Sequence, residues 1–451
     1  MLACTLCIFA IRKGKRMKSE KIVIKKMGIN GEGIGYIDQK IAFIKGALTG
    51  EEVLAEIDVR ERRYLSGHVV KVLKKSSMRV PHHNNDKKTY GYSLFHMNYL
   101  DQLPFKKGLI KDAIAKYTKF DVEELDVKPV LSSDEVEHYR HYAAFPIVYS
   151  RGKLVFGELE GVDHFLSVDD LYRLQSPVIN TTLNKIQKIL NEHKCKDYYP
   201  RVKCGLRYIM VREFNEGLQV VFITGKDGIA KEVTKEIAQI DEVVSIYYSI
   251  NTSSHSDFNE KGFKRIYGMN AMTLTCKDQD YKINVKSHMI MNPEMEYKKY
   301  DVLTSLIDEE DEILSLYSGL GLWEMSLPND VTALEENEYQ LDDALKNRDR
   351  IKEMNKFFKL CNIDKEIVRL CKKKTYDKVV VHGGDITEEI AKSIILSKVP
   401  AVILEGKNMS ALGLSIEKLQ NRYHITYVSG VDVDPNTPLV HAIVKLERNE
   451  R

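Results

Sequence analysis

Between Gly31 and Ile57 the chain reads GEGIGYIDQKIAFIKGALTGEEVLAEI, a succession of glycines, alternating residues and turns that few folds accommodate. Gly31, Gly33 and Gly35 suit backbone positions with positive φ or close chain approach, and Ile41, Phe43 and Ile44 alternate enough to bury one face of a strand. Lys45-Gly46-Ala47-Leu48 then turns the chain toward a second strand, Val53 to Val59. The charge distribution adds to this. Residues 1–80 hold 17 Lys or Arg against 8 Asp or Glu, a local charge of +9 that leaves −6 over the rest of a chain whose formal net charge is +3. A basic end on a mildly acidic body points to a polyanion-binding module joined to something else.

At 451 residues the chain exceeds one compact core. Its seven cysteines lack framework spacing, which indicates a reducing compartment, and Cys4 and Cys7 have no second pair to complete a zinc site, so no metal is expected. The apolar run Leu2 to Ile11 is too short to cross a bilayer, Met17 is a plausible alternative start, and the expected location is the cytoplasm. Residues 1–17 read as an extension, 18–80 as a barrel, 81–290 as a linker and central α+β domain, and 291–451 as a third domain. Residues 81–88 are polar and strand-free, and 104–119 have helical spacing. Strands are expected near 144–149, 207–213, 218–223 and 243–250, around an amphipathic stretch at 179–193. From Asn292 the rhythm is strand, loop, helix. Buried strands are expected at 312–317, 330–334, 378–381, 401–404, 424–428 and 442–446, which implies a largely parallel sheet covered by helices.

With these landmarks in order, the chain resembles the RNA uracil-5-methyltransferase family, whose bacterial ribosomal-RNA members carry an N-terminal TRAM domain, a small RNA-binding barrel. Beyond residues 31–57, the likeness rests on Tyr139-Arg140 with Phe145-Pro146, Gly205 to Arg212, Ile266-Tyr267-Gly268, Asn292, Leu316 to Gly321, and Val431 to Val440. The resemblance implies a multidomain α/β protein with an OB-like TRAM β-barrel, a central α+β domain and a C-terminal Rossmann-like class I methyltransferase domain. It also implies chemistry. Family members use S-adenosylmethionine and flip a uridine out of its helix. A cysteine thiolate adds to uracil C6, and the resulting enolate takes the methyl at C5 before a base removes the C5 proton.

The sequence departs from that pattern where the chemistry would lie. The family's Ser-Cys-Asn-Pro segment corresponds to Gly406-Lys407-Asn408-Met409, so Lys407 stands at the thiol's position. Its Asp-Pro-Pro-Arg loop corresponds to His382-Gly383-Gly384-Asp385, with Asp385 a displaced acid, and His441 falls at its proton-abstracting glutamate. For the cofactor, Ile290 replaces a glutamine and Ser315 an aspartate, and Leu322-Trp323-Glu324 follow the glycine loop, where a glutamate would repel the cofactor's carboxylate. Tyr317, Gly319 and Gly321 remain as a vestigial loop, and Glu335 is either a ribose-binding acid or a plain surface acid. The window 88–97 contains no cysteine, so no iron–sulfur cluster is expected.

The first reading is therefore an RNA-binding pseudoenzyme, a monomer bound to ribosomal RNA and not to membrane. Its phosphate contacts would come from Lys25, Lys26, Arg60, Arg62, Arg63, Lys71, Lys74, Lys75 and Arg79. Tyr64 is read as a barrel core residue or as a stacking platform. The second reading is an active S-adenosylmethionine-dependent uracil-5 methyltransferase with relocated catalytic residues.

Overall fold

A computed structural model describes residues 19–81, 94–160, 164–167, 173–253 and 261–450. The expectations for the N-terminal extension, including Cys4, Cys7 and Met17, lie outside these residues, as does most of the window expected to lack a cluster.

The first sheet comprises β1 (Ser19–Val23), β2 (Lys26–Met27), β3 (Gly33–Ile37), β4 (Lys40–Lys45), β5 (Glu52–Arg60) and β6 (Tyr64–Lys74), in the order β1-β5-β6-β4-β3-β2. Its core is small: Ile22, Ile24, Ala42, Ile44, Ala47, Val53, Ala55, Ile57 and Leu65. A side chain at Gly35 would fall 2.5 Å from Ile22 Cγ2 and 2.7 Å from the carbonyl of Val23, so glycine is what lets β3 and β1 close on each other. The expected alternation in β4 is shifted by one residue. Ala42 and Ile44 point inward, whereas Ile41 and Phe43 lie half-buried on the outer face. Alanine is small enough to face a crowded barrel interior, and apolarity alone does not reveal which face a strand buries.

Helix α1 (Tyr99–Tyr117) follows, and then a second sheet built from β7 (Tyr142–Ser150), β8 (Lys153–Glu160), β9 (His164–Ser167), β10 (Leu206–Phe214), β11 (Gly217–Thr224), β12 (Val243–Ile250) and β13 (Phe263–Gly268). Its order is β13-β12-β11-β10-β7-β8-β9, with α2 (Pro177–Glu192) and α3 (Lys231–Ile237) packed on it. A hairpin, β14 (Ala271–Cys276) and β15 (Gln279–Asn284), leads into the last domain.

That domain runs α4 (Pro293–Thr304), β16 (Ile313–Leu316), α5 (Leu322–Met325), β17 (Val331–Glu335), α6 (Glu338–Ile351), β18 (Lys356–Leu360), α7 (Ile363–Lys373), β19 (Lys378–His382), α8 (Glu388–Ser397), β20 (Ala401–Gly406), α9 (Met409–Leu419), β21 (Tyr423–Val431) and β22 (His441–Arg448). The strand order is β18-β17-β16-β19-β20-β22-β21, parallel throughout except for β22, which runs antiparallel to both neighbours. Helix starts are set locally. The side chains of Asn292, Asn337, Asn362, Thr387 and Asn408 each accept a hydrogen bond from a backbone amide in the first turn of α4, α6, α7, α8 and α9. Chain order reverses between β16 and β19, which opens a crevice at the carboxyl ends of the strands, where doubly wound sheets bind ligands.

Two elements depart from the sequence expectation. Strand β18 was not foreseen, because it is a sheet edge: Phe357 and Leu360 are exposed and Phe358 alone supplies a buried apolar side chain. The second departure concerns α1, whose position within 81–290 assigned it to the linker and central region. It packs instead into the core of the last domain, with Ile110 and Ile114 among side chains of β19 to β22 and α9. The following segment bridges to the edge of β21, Val127 to Val428 and Leu131 to Val431. Gly413 of α9 permits this crossing, since a Cβ there would sit 2.6 Å from the Tyr117 ring.

Candidate functional site

At the carboxyl ends of β19 and β20 lies a buried polar cluster. Parallel register sets His382 beside Glu405, the last positions of two otherwise apolar stretches. His382 Nδ1 lies 3.3 Å from Glu405 Oε1, and its Nε2 lies 3.2 Å from Glu324 Oε1. His441, at the start of β22, brings Nδ1 to 3.4 Å from Glu405 Oε2, and Lys299 of α4 sits 3.4 Å from that oxygen and 2.7 Å from Glu296. Ser315 donates its hydroxyl to Glu324 Oε1 at 2.5 Å. The Trp323 ring packs edge-on to His382, with centroids 5.5 Å apart.

The charges in this cluster support one another. Burial opposes protonation of His382, but hydrogen bonds to Glu324 and Glu405 outweigh it and raise the imidazole to about 9. Burial likewise opposes ionisation of Glu405, and Lys299, His382 and His441 overcome it, holding the carboxyl well below its ordinary range. The result is a largely buried imidazolium between two carboxylates, and a carboxylate beside that imidazolium, the Lys299 ammonium and the His441 ring.

Beside this cluster the loop after β16 turns sharply, with φ of 61° at Tyr317, 59° at Gly319 and 68° at Gly321. Its amides are engaged within the chain. Gly319 donates to Glu335 Oε2 at 2.7 Å, and Gly321 donates to the Ser318 carbonyl at 2.9 Å. Glu335 Oε1 accepts two further amides, from Glu336 at 2.9 Å and Asn337 at 2.7 Å. A Cβ on Gly321 would fall 2.4 Å from the Phe358 ring, so packing against β18 by itself requires glycine there.

The barrel presents a second surface. On the outer face of β3, β4 and β6, Tyr36, Ile41 and Tyr64 share one row, and Phe43 and Ser66 the next. Phe43 and Tyr64 meet edge to face at 6.1 Å and line a cavity of about 340 Å³ with Ile29, Glu32, Lys45 and Ser66.

The comparisons agree with this architecture. The TRAM domain family matches residues 18–70. A Streptococcus agalactiae protein described as an uncharacterized RNA methyltransferase is 25% identical over 443 residues, covering 95% of this chain and 97% of its own length. A Bacillus anthracis protein of the same description is 28% identical over 448 residues, covering 94% and 96%. In fold, the chain is similar to the Pyrococcus abyssi tRNA (uracil-54, C5)-methyltransferase solved with S-adenosyl-L-homocysteine, with a TM-score of 0.75, 21% identity, and coverage of 96% of this chain and all of that one.

The chain carries a TRAM domain and is similar along nearly its whole length to proteins described as RNA methyltransferases. Within this fold, the sequence-derived positions scatter. His441 joins the buried cluster, whereas Lys407 and Asp385 are exposed at the ends of neighbouring loops. Asn408, next to Lys407, caps α9. Glu335 is not a surface acid, being 5% exposed and bound by three backbone amides. Glu324 does not face the loop as a free charge but is held beneath it by Ser315 and His382. Tyr64 is not in the barrel core; it lies half-buried on the outer face beside Phe43.

Among the basic candidates of the TRAM barrel, Lys25, Lys26, Arg60, Arg62, Arg63, Lys71, Lys74 and Lys75 are exposed, with Arg60 reaching Glu20 at 3.2 Å. Arg79 is different. Its guanidinium donates to both oxygens of the buried Glu51, at 2.5 and 2.7 Å, and to the Gly46 carbonyl at 2.6 Å. A bidentate pair of this kind ties the end of the barrel to the following segment and is not available to phosphate. Arg79→Ala should therefore lower stability by about 2–3 kcal/mol, since it leaves a buried carboxylate short of its charged donor. Urea denaturation would register this.

Sequence reading missed His382, Glu405, Lys299 and Phe43 as site residues. The first two carried a usable signal, polar residues closing two apolar strands at the same level. Lys299 did not, because only the packing of α4 brings it there.

Proposed function

We propose that this chain binds structured RNA, ribosomal RNA by family analogy, as a cytoplasmic monomer, and does not methylate uracil through a cysteine adduct. The observation that carries this reading is the exposed Lys407 at the end of β20, above a Glu405 already committed to Lys299, His382 and His441. Conjugate addition to uracil C6 needs a soft thiolate, and an exposed ammonium supplies neither the softness nor the lone pair. Four of the described thiols are poor replacements. Burial pushes Cys195 and Cys371 up, Cys361 to about 11 and Cys276 to about 12, all away from the thiolate.

S-Adenosylmethionine fits the site at one end only. Glu335 retains acceptor capacity for a ribose hydroxyl, because a carboxylate offers about four acceptor positions and three are used. At the amino-acid end, the Gly319 and Gly321 amides are engaged within the chain, and Leu322, Trp323 and Glu324 are packed behind them. The names of the relatives favour a second reading, an active methyltransferase with relocated residues. Titration calorimetry with S-adenosylmethionine, with and without ribosomal RNA, followed by an assay for labelled methyl transfer, separates the two. The proposal expects no transfer, and incorporation into any transcript overturns it.

RNA binding itself is tested at the β5–β6 turn. Arg62→Ala with Arg63→Ala should weaken binding of a structured ribosomal RNA fragment. The slope of log affinity against log salt should fall by about 1.5, as expected for two lost phosphate contacts at roughly 0.7–0.9 each. An unchanged slope would place the RNA elsewhere.

A further inference from the structure

The cavity on the outer face of the barrel has a chemistry more specific than a phosphate-binding surface. Its volume of about 340 Å³ lies at the small end of the range for ligand pockets, about 300–1,000 Å³. Two of its walls are the rings of Phe43 and Tyr64, set at 69° to each other, so that a planar group lying on one ring is met by the edge of the other. Tyr36, on the same face and 58% exposed, extends the aromatic surface beyond the cavity. Lys45 lines the cavity, and the exposed Arg62 and Arg63 immediately precede Tyr64 in the chain, within reach of a sugar–phosphate backbone that leaves the cavity.

The deciding group is Glu32. It is 7% exposed, lines the cavity, and is oriented by Asn30, whose backbone amide donates to Oε2 at 3.0 Å and whose side-chain amide donates to Oε1 at 3.5 Å. Each oxygen keeps acceptor capacity. A carboxylate in the wall of an aromatic cavity repels phosphate and rewards an occupant that presents two N–H donors side by side. Among the RNA bases, guanine does so through N1–H and its exocyclic amino group, whereas uracil offers one donor flanked by carbonyls that the carboxylate would repel.

We propose that the barrel holds a single unpaired guanine of its RNA, stacked on Phe43 and Tyr64 and recognised along its donor edge by Glu32, with Lys45, Arg62 and Arg63 on the adjoining phosphates. This rests on the RNA-binding reading above and specifies which nucleotide the barrel takes. Single-stranded RNA is commonly gripped through aromatic stacking beside cationic groups, and sequence choice then comes from base edges.

The test uses the full chain and fluorescein-labelled pentanucleotides, UUUUU and UUGUU, read by anisotropy. Wild type should bind UUGUU about tenfold or more tightly than UUUUU, the scale of one bidentate base contact. Glu32→Gln should abolish that preference without weakening UUUUU, because the amide still accepts from Asn30 but presents one acceptor instead of two and no longer repels the uracil carbonyls. Phe43→Ala and Tyr64→Ala should each weaken UUGUU about tenfold, a typical loss for one stacking partner, and Tyr64→Phe should retain wild-type affinity because the ring remains. Wild-type guanine preference in Glu32→Gln, or unchanged binding in both alanine variants, overturns the proposal. Those results together with salt-dependent binding of the structured fragment through Arg62 and Arg63 would leave the RNA-binding reading standing. If wild type binds neither the pentanucleotides nor the fragment, that reading falls as well.

Discussion

Glu405→Gln is expected to lower the free energy of unfolding by about 3 kcal/mol. Removing one member of a buried ion pair typically costs about 3–5 kcal/mol, because the remaining charge stays buried without compensation. The lower end applies here because Glu296 still holds Lys299 at 2.7 Å and Glu324 still faces His382 at 3.2 Å. His441 loses the carboxylate 3.4 Å from its ring. The same cluster fixes the pH dependence. His382 is raised from 6.5 to about 9, so its contribution is full below pH 6.5 and is lost as pH rises through 9. Glu405 is lowered from 4.5, so its contribution is full above pH 4.5 and is lost as pH falls. Stability should therefore be greatest between about pH 5 and 6.5 and fall on either side. Guanidinium denaturation at pH 6 and pH 9.5 measures the alkaline limb, and Glu405→Gln should flatten it, since His382 then has one carboxylate partner and not two. An equally steep limb in the variant would show that the imidazolium owes nothing to Glu405.

Lys106→Ala is expected to cost about 3–5 kcal/mol and to loosen α1 from the last domain. The Lys106 ammonium is fully buried, is ion-paired with Asp432 and donates to the Asp434 carbonyl at 3.1 Å. Burial pushes Lys106 down and Asp432 up, and the attraction of each for the other opposes both shifts. Lys106→Ala leaves Asp432 as a buried carboxylate without its cation. Lys106→Met combined with Asp432→Asn should recover more than half of the loss, because replacing both partners removes the uncompensated charge. Hydrogen exchange in α1 would rise in the single variant and return toward wild type in the double one. If the double variant were as unstable as the sum of its parts, the pair would not be coupled.

The legible parts of the fold were those governed by local pattern. Five of the strands expected in the last domain appear within a residue or so at most ends, because a parallel sheet buried on both faces needs continuous runs such as Val379-Val380-Val381. The strand expected at 424–428 also formed, but as β21 it extends to Val431. Where burial is one-sided the signal weakened: β18 at the sheet edge went unread, and the inward face of β4 was taken a residue out of phase. Basic residues could be counted in the sequence, but that did not distinguish the exposed Arg62 and Arg63 from Arg79, which a buried Glu51 claims.

By itself, the sequence determined the barrel and the parallel sheet, since each follows from residue identity and spacing along a continuous stretch. Tertiary structure alone decided that α1 belongs with the last sheet, that Lys299 and His441 converge on Glu405, and that Phe43, Tyr64 and Glu32 line one cavity. The reason is physical. These pairings join residues tens to hundreds of positions apart, and their energies come from burial and charge neutralisation, which exist only once the chain has closed around them.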